Sequence, residues 1–319
     1  MPTRRRFVTA LAGALAASRR FQASGSRSQV PSPTPESPSS KTRLILLGTG
    51  GGPTPKRRRS APAQALVVGD RTYIVDCGDG VSRQLALAGI SLRSIRSVFI
   101  THQHSDHNAD YGNLLMFAWI AGIAAPIDTY GPPPLAKMTR LFLEMNDYDL
   151  GIRQKDEGRP PLAPSIRVHE VSRDGRVVDD GRVKVTAALN AHPPVVPSFA
   201  YRFDTADRSI VISGDTNVSP NVIRLAAGAD VLVHEVMHVP SIGALLEKDP
   251  DATRLREHLL ASHTTVEDVG RVAAEANVKT LVLSHFVPGD ADLPDDEWTA
   301  GARRHFCGRV VVGADLMEI

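Results

Sequence analysis

The segment from Thr101 to His107, with the sequence THQHSDH, constrains this chain more than any other. It places three imidazoles and a carboxylate within six residues. Clustered polar groups cost free energy when they are buried without partners, so packing alone does not explain them. The apolar run Ser97–Ile100 precedes the segment and is typical of a buried strand. Loops at strand ends are held by a rigid core and often carry binding residues. We therefore predict a metal site here; the alternative is a polar loop that happens to be rich in histidine.

Three later residues occupy similar positions in the chain. His192, Asp215 and His285 each come directly after a short apolar run that is typical of a strand. Each of them alone is more typical of a capping or hydrogen-bonded group. Together they indicate one site, because the ends of strands at one sheet edge lie close to one another.

This series of residues resembles the metallo-β-lactamase superfamily, which has an H-x-H-x-D-H loop followed by a later His, Asp and His. The resemblance covers roughly residues 41–319 and implies a pair of metal ions, with zinc as the first choice and manganese or iron also compatible. The implied ligands of the first metal are His102, His104 and His192. Those of the second are Asp106, His107 and His285, and Asp215 would bridge the two.

Within this superfamily the chain resembles the ribonuclease Z and arylsulfatase-like branch. The resemblance rests on the Gly-rich turn at 48–52, on Asp76–Gly80 and on the C-terminal stretch that begins at His263. It implies that Asp76 supports the ligand loop, because a metal-bound histidine needs a partner for its other ring N–H.

The same branch suggests roles for two further residues. A histidine that matches His263 protonates the leaving group or stabilises the transition state there, and a glutamate that matches Glu235 orients it. The alternative for His263 is an exposed residue beside the start of a helix over 266–276.

The expected chemistry is metal-assisted hydrolysis of an ester. Two metal ions roughly 3.5–4 Å apart can hold a bridging water and lower its pKa toward ~7, and the resulting hydroxide is the nucleophile. We expect Asp106, Asp215, His263 and Glu235 to act in catalysis. The favoured substrate is a small anionic sulfate or phosphate ester, as in the arylsulfatase-like branch. The net charge of +2 is too small to indicate a nucleic-acid surface, so no nucleic acid is expected as a partner.

Two alternatives remain. The first is a ribonuclease Z-type tRNA 3′ endonuclease. An export-like N-terminus counts against it, and only residues 193–214 separate His192 from Asp215, where ribonuclease Z inserts a long arm that grips tRNA. The weaker alternative is a di-iron redox or metal-binding protein on the same fold. Relatives of that type replace a loop histidine with a carboxylate, whereas His104 is present here.

The N-terminal region has a different composition from the rest. Residues 1–21 fit a twin-arginine signal peptide, with Arg4 and Arg5 before the apolar run Phe7–Ala17. That run is shorter than the ~20 residues of a membrane span, so no stable membrane anchor is expected. Residues 22–40 are rich in Ser and Pro and predict a disordered linker. We therefore expect the hydrolase domain, residues 41–319, to be periplasmic or secreted.

Strand-like and helix-like runs alternate from Lys41 onward. The expected ligands come from both halves of this region, so we predict one domain and not two. Its predicted class is α/β: a metallo-β-lactamase-like αββα sandwich, with two β-sheets face to face and helices on both outer faces. The site would lie at one edge of the sheets. The family resemblance also implies that the chain could form a homodimer.

Overall fold

The apolar runs of the N-terminal half form a six-stranded sheet. The computed structural model describes residues 41–319, so the predicted signal peptide (1–21) and linker (22–40) lie outside the described residues. The strands, in their spatial order, are β1 (Arg43–Gly48), β2 (Ala63–Val68), β3 (Arg71–Val75), β4 (Ile95–Phe99), β5 (Ile127–Gly131) and β6 (Ile166–Glu170). Strands β1 to β3 are antiparallel, and β3 to β6 are parallel.

The C-terminal half forms a seven-stranded sheet. Its strands are β7 (Gly175–Asp179), β8 (Lys184–Leu189), β9 (Phe199–Asp204), β10 (Ser209–Ile212), β11 (Val231–Met237), β12 (Thr280–Val287) and β13 (Arg309–Val312), and they lie side by side in chain order. Strands β7 to β10 are antiparallel, and β10 to β13 are parallel. Each sheet therefore has a set of parallel strands whose carboxyl ends can carry a site.

Ten helices accompany the sheets within residues 41–319. They are α1 (Val81–Leu87), α2 (Ser105–Asn108), α3 (Tyr111–Ala121), α4 (Leu135–Met145), α5 (Asp147–Asp156), α6 (Pro220–Ala226), α7 (Ile242–Lys248), α8 (Leu255–Ser262), α9 (Asp268–Glu275) and α10 (Asp295–Arg303). Short 3-10 turns lie at Leu92–Ser94, Ala163–Ser165 and Val239–Ser241. Within this described part of the chain, none of the helices has the length and apolar character needed to cross a membrane.

The layers follow from the alternation of side chains along each strand. In β1, Leu44 and Leu46 point between the sheets and pack in one core with Phe203 of β9. Ile45 points the other way, into a second core that includes Leu85 of α1. Burying such a side chain contributes roughly 1.5–3 kcal/mol, so a shift of one residue in register would be costly.

A third core closes the opposite side of the molecule. Leu232 of β11 packs there with Val269 of α9 and Trp298 of α10. The order of layers is therefore helix, sheet, sheet, helix, and the predicted αββα sandwich is confirmed.

The predicted strand Ser97–Ile100 is observed as β4, Ile95–Phe99. The apolar run before His285, Thr280–Leu283, continues as a strand to Val287, so His285 lies inside β12 and not directly after a strand. The helix expected to begin at Val266 begins at Asp268.

Candidate metal centre

Three of the predicted site residues lie at the carboxyl ends of parallel strands, whereas His192 follows the antiparallel strand β8. His102 comes shortly after β4, Asp215 comes shortly after β10, and His285 lies near the end of β12. The first belongs to one sheet and the other two to the second sheet. The structure therefore brings residues from both halves of the chain to one place, where their side chains form two adjacent groups that share Asp215, and a third group of Glu235, His263 and His285 adjoins the second.

The first group contains three histidines and one oxygen of Asp215. His104 Nδ1 lies 3.0 Å from His102 Nε2 and 3.1 Å from His192 Nε2. Asp215 Oδ2 lies 3.9 Å from His102 Nε2. Ligands about 2.0–2.1 Å from a tetrahedral zinc ion lie roughly 3.3 Å apart, so these nitrogens have nearly the spacing of such a set.

The second group uses the other oxygen of Asp215. Asp215 Oδ1 lies 3.2 Å from His107 Nε2 and 3.1 Å from His285 Nε2. Asp106 Oδ2 lies 3.7 Å and 3.5 Å from the same two nitrogens. Asp215 thus presents one oxygen to each group, as a bridging ligand would.

Four polar atoms of the second group are buried without a hydrogen bond of acceptable geometry. These atoms are His107 Nε2, Asp215 Oδ1 and both ring nitrogens of His285. Leaving a buried polar group unpaired costs about 1–3 kcal/mol. A cavity of about 20 Å³ lies against these residues. Ring nitrogens and carboxylate oxygens that converge in this way fit a bound metal cation.

The charges of the site agree with that fit. Burial lowers the pKa of His102 well below its usual value and that of His192 to about 4, so both rings are neutral, the form that binds metal. Burial would raise the pKa of Asp215, but His107 and His285 lower it well below its usual value. Burial would lower the pKa of His107, but Asp215 and Asp76 raise it. The second group therefore holds two ionised carboxylates, Asp106 and Asp215, whose charge a metal cation could balance in place of a proton on His107.

Asp76 holds the ligand loop from beneath. Its carboxylate accepts hydrogen bonds from Thr101 N and from His107 Nδ1, both at 2.8 Å. The second bond fixes the ring of His107 so that Nε2 points into the site. Asp76 has a φ of 61°, a left-handed conformation that side chains rarely adopt and that is often found at functional sites.

The Gly-rich turn after β1 contacts the second group directly, a role that sequence reasoning did not assign. Gly52 N donates a hydrogen bond of 3.0 Å to Asp106 Oδ2. A Cβ on Gly51 would lie 2.7 Å from ring atoms of His285, so only glycine fits there. The turn therefore positions one ligand and makes room for another.

His285 enters the site through an irregularity in β12. Ser284 pairs with Glu235 of β11, and Phe286 pairs with Val236, so His285 is an extra residue between two regular pairs. Its φ is 43°. Such a bulge re-aims a side chain, and this explains how a residue inside a strand contributes to the site.

His263 and Glu235 form a buried pair beside the second group. His263 Nδ1 lies 3.1 Å from Glu235 Oε1, and the same oxygen accepts hydrogen bonds from Thr216 N at 3.0 Å and Thr264 N at 3.1 Å. Burial lowers the pKa of His263, but Glu235, with smaller contributions from Asp215 and Asp106, raises that pKa to about 9. His263 is only 6% exposed, so the alternative of an exposed residue near a helix start is wrong.

Sequence reasoning also missed Ser262 and His258. Ser262 O lies 3.0 Å from His192 Nδ1 and fixes that ring. His258 lies on α8, and its ring centroid is 6.1 Å from that of His263. Its only sequence signal is the spacing of two histidines five residues apart, which does not distinguish a site residue from a surface one.

Comparison with known proteins identifies the family. The sequence model of the β-lactamase superfamily domain matches residues 71–286. Ribonuclease Z from Mycobacterium marinum is 34% identical over 264 residues, which cover 82% of this chain and 92% of that protein. The chain belongs to the metallo-β-lactamase superfamily, in its ribonuclease Z branch. Ribonuclease Z from Mycobacterium bovis is 33% identical with the same coverage of both chains.

Solved structures of this superfamily share the fold. Human tRNase Z, short form, has a TM-score of 0.63 at 23% identity and covers 87% of this chain and 98% of that one. Zn²⁺-bound PqqB from Methylobacterium extorquens has a TM-score of 0.65 at 15% identity and covers 87% of this chain and 99% of that one. Membership of this family makes the chain a metal-dependent hydrolase, which agrees with the ligand groups described above.

The comparisons overturn two predictions. The prediction of an arylsulfatase-like hydrolase of small sulfate or phosphate esters is wrong. The relatives that match 82% of this chain are named ribonuclease Z. The expectation that no nucleic acid is a partner is wrong for the same reason, since that name denotes an enzyme of RNA. The small net charge misled here because it averages over the whole surface. The homodimer stays a prediction.

Proposed function

We propose that this chain is a ribonuclease Z-type endonuclease, a metal-dependent phosphodiesterase that cleaves precursor tRNA at its 3′ end. The observation that carries the proposal is the match to ribonuclease Z over 92% of that protein's length. The arrangement of the ligand groups beside a buried His–Glu pair supports it, because phosphodiester cleavage needs both charge stabilisation and a proton donor.

The two ligand groups would hold a pair of zinc ions. The donors of the first would be His102, His104 and His192, those of the second Asp106, His107 and His285, with Asp215 shared. Such ions, when bound, polarise a phosphoryl oxygen and lower the pKa of water.

The protein's own residues then orient the nucleophile and supply a proton. Asp106 and Asp215 are buried carboxylates with lowered pKa values, so they are ionised and can accept a hydrogen bond from a nucleophilic water. Glu235 holds His263 through Nδ1 and leaves Nε2 to face the reacting ester. With its pKa near 9, His263 is protonated at neutral pH and can donate that proton to the leaving oxygen. Acid catalysis of this type is worth about 10²–10⁴ in rate.

The missing arm does not exclude an RNA substrate. Residues 193–214 form the turn after His192 and the β9–β10 hairpin, with no long insertion. The basic loop Lys56–Arg59 borders the site, because Lys56 Nζ bonds to Gly52 O and Gly52 N bonds to Asp106. Arg57 is exposed on this loop. Contacts from such cations to RNA phosphates would supply affinity without an arm.

The test is an assay of 3′-extended precursor tRNA with purified, metal-loaded protein. We expect one major cut near the 3′ end, no cut in a DNA copy of the same sequence, and loss of cleavage after treatment with a chelator. The matched variant His263→Ala should retain metal and cleave more slowly. Intact precursor tRNA in the presence of fully loaded wild-type protein would contradict the proposal.

A further inference from the structure

One histidine, His258, lies near the ligand groups and belongs to neither of them. His258 lies on α8 and is half-buried. Its ring centroid is 6.2 Å from that of His104, 6.0 Å from His192 and 6.1 Å from His263. An imidazole nearly equidistant from these three rings lies over the space between them, on the side that α8 covers.

The distances separate His258 from the metal ligands. The three rings of the first group lie 4.6–5.0 Å from one another. The ring of His258 lies 6.0 and 6.2 Å from the two of those rings that it faces, which is further than the three lie from one another. Its nitrogens belong to neither ligand group among residues 41–319. His258 is therefore placed to contact a molecule bound at the metals and not the metals themselves.

A hydrogen bond fixes one nitrogen of this ring. Ser262 Oγ donates its single proton to Pro193 O at 2.5 Å, so it can only accept from His258 Nδ1, which lies 3.3 Å away. Ser262 O also accepts a hydrogen bond from His192 Nδ1. One residue thus ties His258 and a predicted metal ligand together, and the position of His258 relative to the first group is set.

The other nitrogen is available to a ligand. Within residues 41–319, Nε2 of His258 has no hydrogen-bond partner. Burial, His263 and His104 lower the pKa of His258, so without a ligand the ring is neutral and Nε2 can only accept a hydrogen bond. A bound phosphodiester is anionic and favours the charged form of imidazole, in which both nitrogens donate. Histidine could then bind a non-bridging phosphate oxygen while Ser262 holds the ring.

We propose that His258 is a phosphate-contacting residue of the substrate site, which binds through Nε2 the phosphate that lies at the metal centre or the one next to it. That the phosphate belongs to RNA rests on the proposed function. The contact with phosphate itself follows from the position of His258 beside the first ligand group.

The test separates the two nitrogens of the ring. In His258→Gln the amide nitrogen takes the place of Nε2, whereas in His258→Asn it takes the place of Nδ1, so the first can reach phosphate and the second can only replace the bond to Ser262. The matched control is Glu257→Gln, an exposed neighbour on the same helix. A structural role would be rescued by Asn, and a phosphate contact by Gln.

Two measurements read out these variants: calorimetric binding of inorganic phosphate to the metal-loaded protein, and KM and kcat for precursor tRNA. The loss of a hydrogen bond to a charged group corresponds to a change of roughly tenfold or more in the dissociation constant. We expect His258→Ala and His258→Asn to weaken phosphate binding and raise KM by about tenfold with metal content unchanged, and His258→Gln to recover part of the loss. Glu257→Gln should match the wild type.

Each other outcome decides against one of the two proposals. Phosphate binding that is equal in His258→Ala and wild type, or absent from the wild type, would show that His258 makes no such contact. Rescue by Asn and not Gln would assign it a structural role. Phosphate binding that depends on His258 in a protein that cuts no RNA would leave the contact in place and overturn the ribonuclease function alone.

Discussion

His263 Nδ1 lies 3.1 Å from Glu235 Oε1, and this carboxylate oxygen also accepts two backbone N–H groups. The bonds fix the ring of His263 and raise its pKa to about 9 against the effect of burial. Glu235 is buried and its hydrogen bond holds the ring of His263, so it is a positioning residue. The pair sits beside His285, with the rings of the two histidines 5.8 Å apart.

The first prediction concerns this pair. Glu235→Gln removes the charge that raises the pKa of His263, so the pKa should fall. A protonated acid is lost above its pKa, and the alkaline limb of the pH profile of kcat/KM should therefore move to lower pH. His263→Ala should lower kcat by roughly 10²-fold with metal content unchanged. An alkaline limb that stays in place in Glu235→Gln would show that His263 is not the acid.

Stability should depend on pH through the same pair. The pKa of His263 is raised in the folded protein from an ordinary value of 6.5. The resulting stabilisation is complete below about 6.5 and is lost as the pH rises through about 9. Urea unfolding of the wild type should therefore show a decrease in stability over this range that is smaller in Glu235→Gln.

The second prediction concerns the space beside His285. Gly51→Ala places a Cβ 2.7 Å from ring atoms of His285, so the ring must move and the second group should lose its metal. Gly151→Ala in α5 is the control, because a Cβ there meets no atom within 4 Å. Elemental analysis should give about one equivalent for the first variant and about two for the second. Full metal content in Gly51→Ala would place His285 outside the ligand set.

The third prediction concerns the basic loop. Arg57 is exposed beside the Gly-rich turn. Arg57→Ala should weaken the binding of all RNA sequences equally, and the slope of log K against log salt concentration should become shallower by about 1. Arg309→Ala is a control of equal charge. Arg309 begins β13, which is parallel to β12, so it lies at the opposite end of these strands from His285. Equal salt slopes in the two variants would mean that the loop does not contact RNA.

The fourth prediction is export. Residues 1–40, with Arg4 and Arg5, should carry a folded reporter to the periplasm, and replacing both arginines with lysine should stop it. Periplasmic recovery of the lysine variant, or cytoplasmic retention of the unaltered fusion, would remove the twin-arginine assignment. An exported protein would meet RNA outside the cytoplasm.

Much of the fold and ligand set follows from local sequence. Alternating and apolar runs predict strands, and the polar residues directly after them predict a site, because both depend on neighbours in the chain. His285 shows the limit: its bulge arises from pairing between β11 and β12, which no local pattern contains. The three hydrogen bonds that Glu235 accepts likewise join segments far apart in the chain, because the donors are Thr216, His263 and Thr264.

The prediction of the substrate class was the larger error, and this error has a physical reason. The ligand set determines that an ester can be hydrolysed, but it does not determine which one. That choice depends on surrounding side chains such as His258 and Arg57, and on their positions in space. The length of residues 193–214 excluded one way to hold tRNA and not the substrate itself.

The central claim is that the two ligand groups hold metal ions that the RNA cleavage requires. Its most direct test is to titrate zinc into chelator-treated protein while the cleavage rate of precursor tRNA is measured. We predict no cleavage without metal, a rate that reaches its maximum near two equivalents, and no recovery in Asp215→Ala, which lacks the shared ligand. Full cleavage before any metal is added, or binding of two equivalents with no cleavage at any point, would contradict this account.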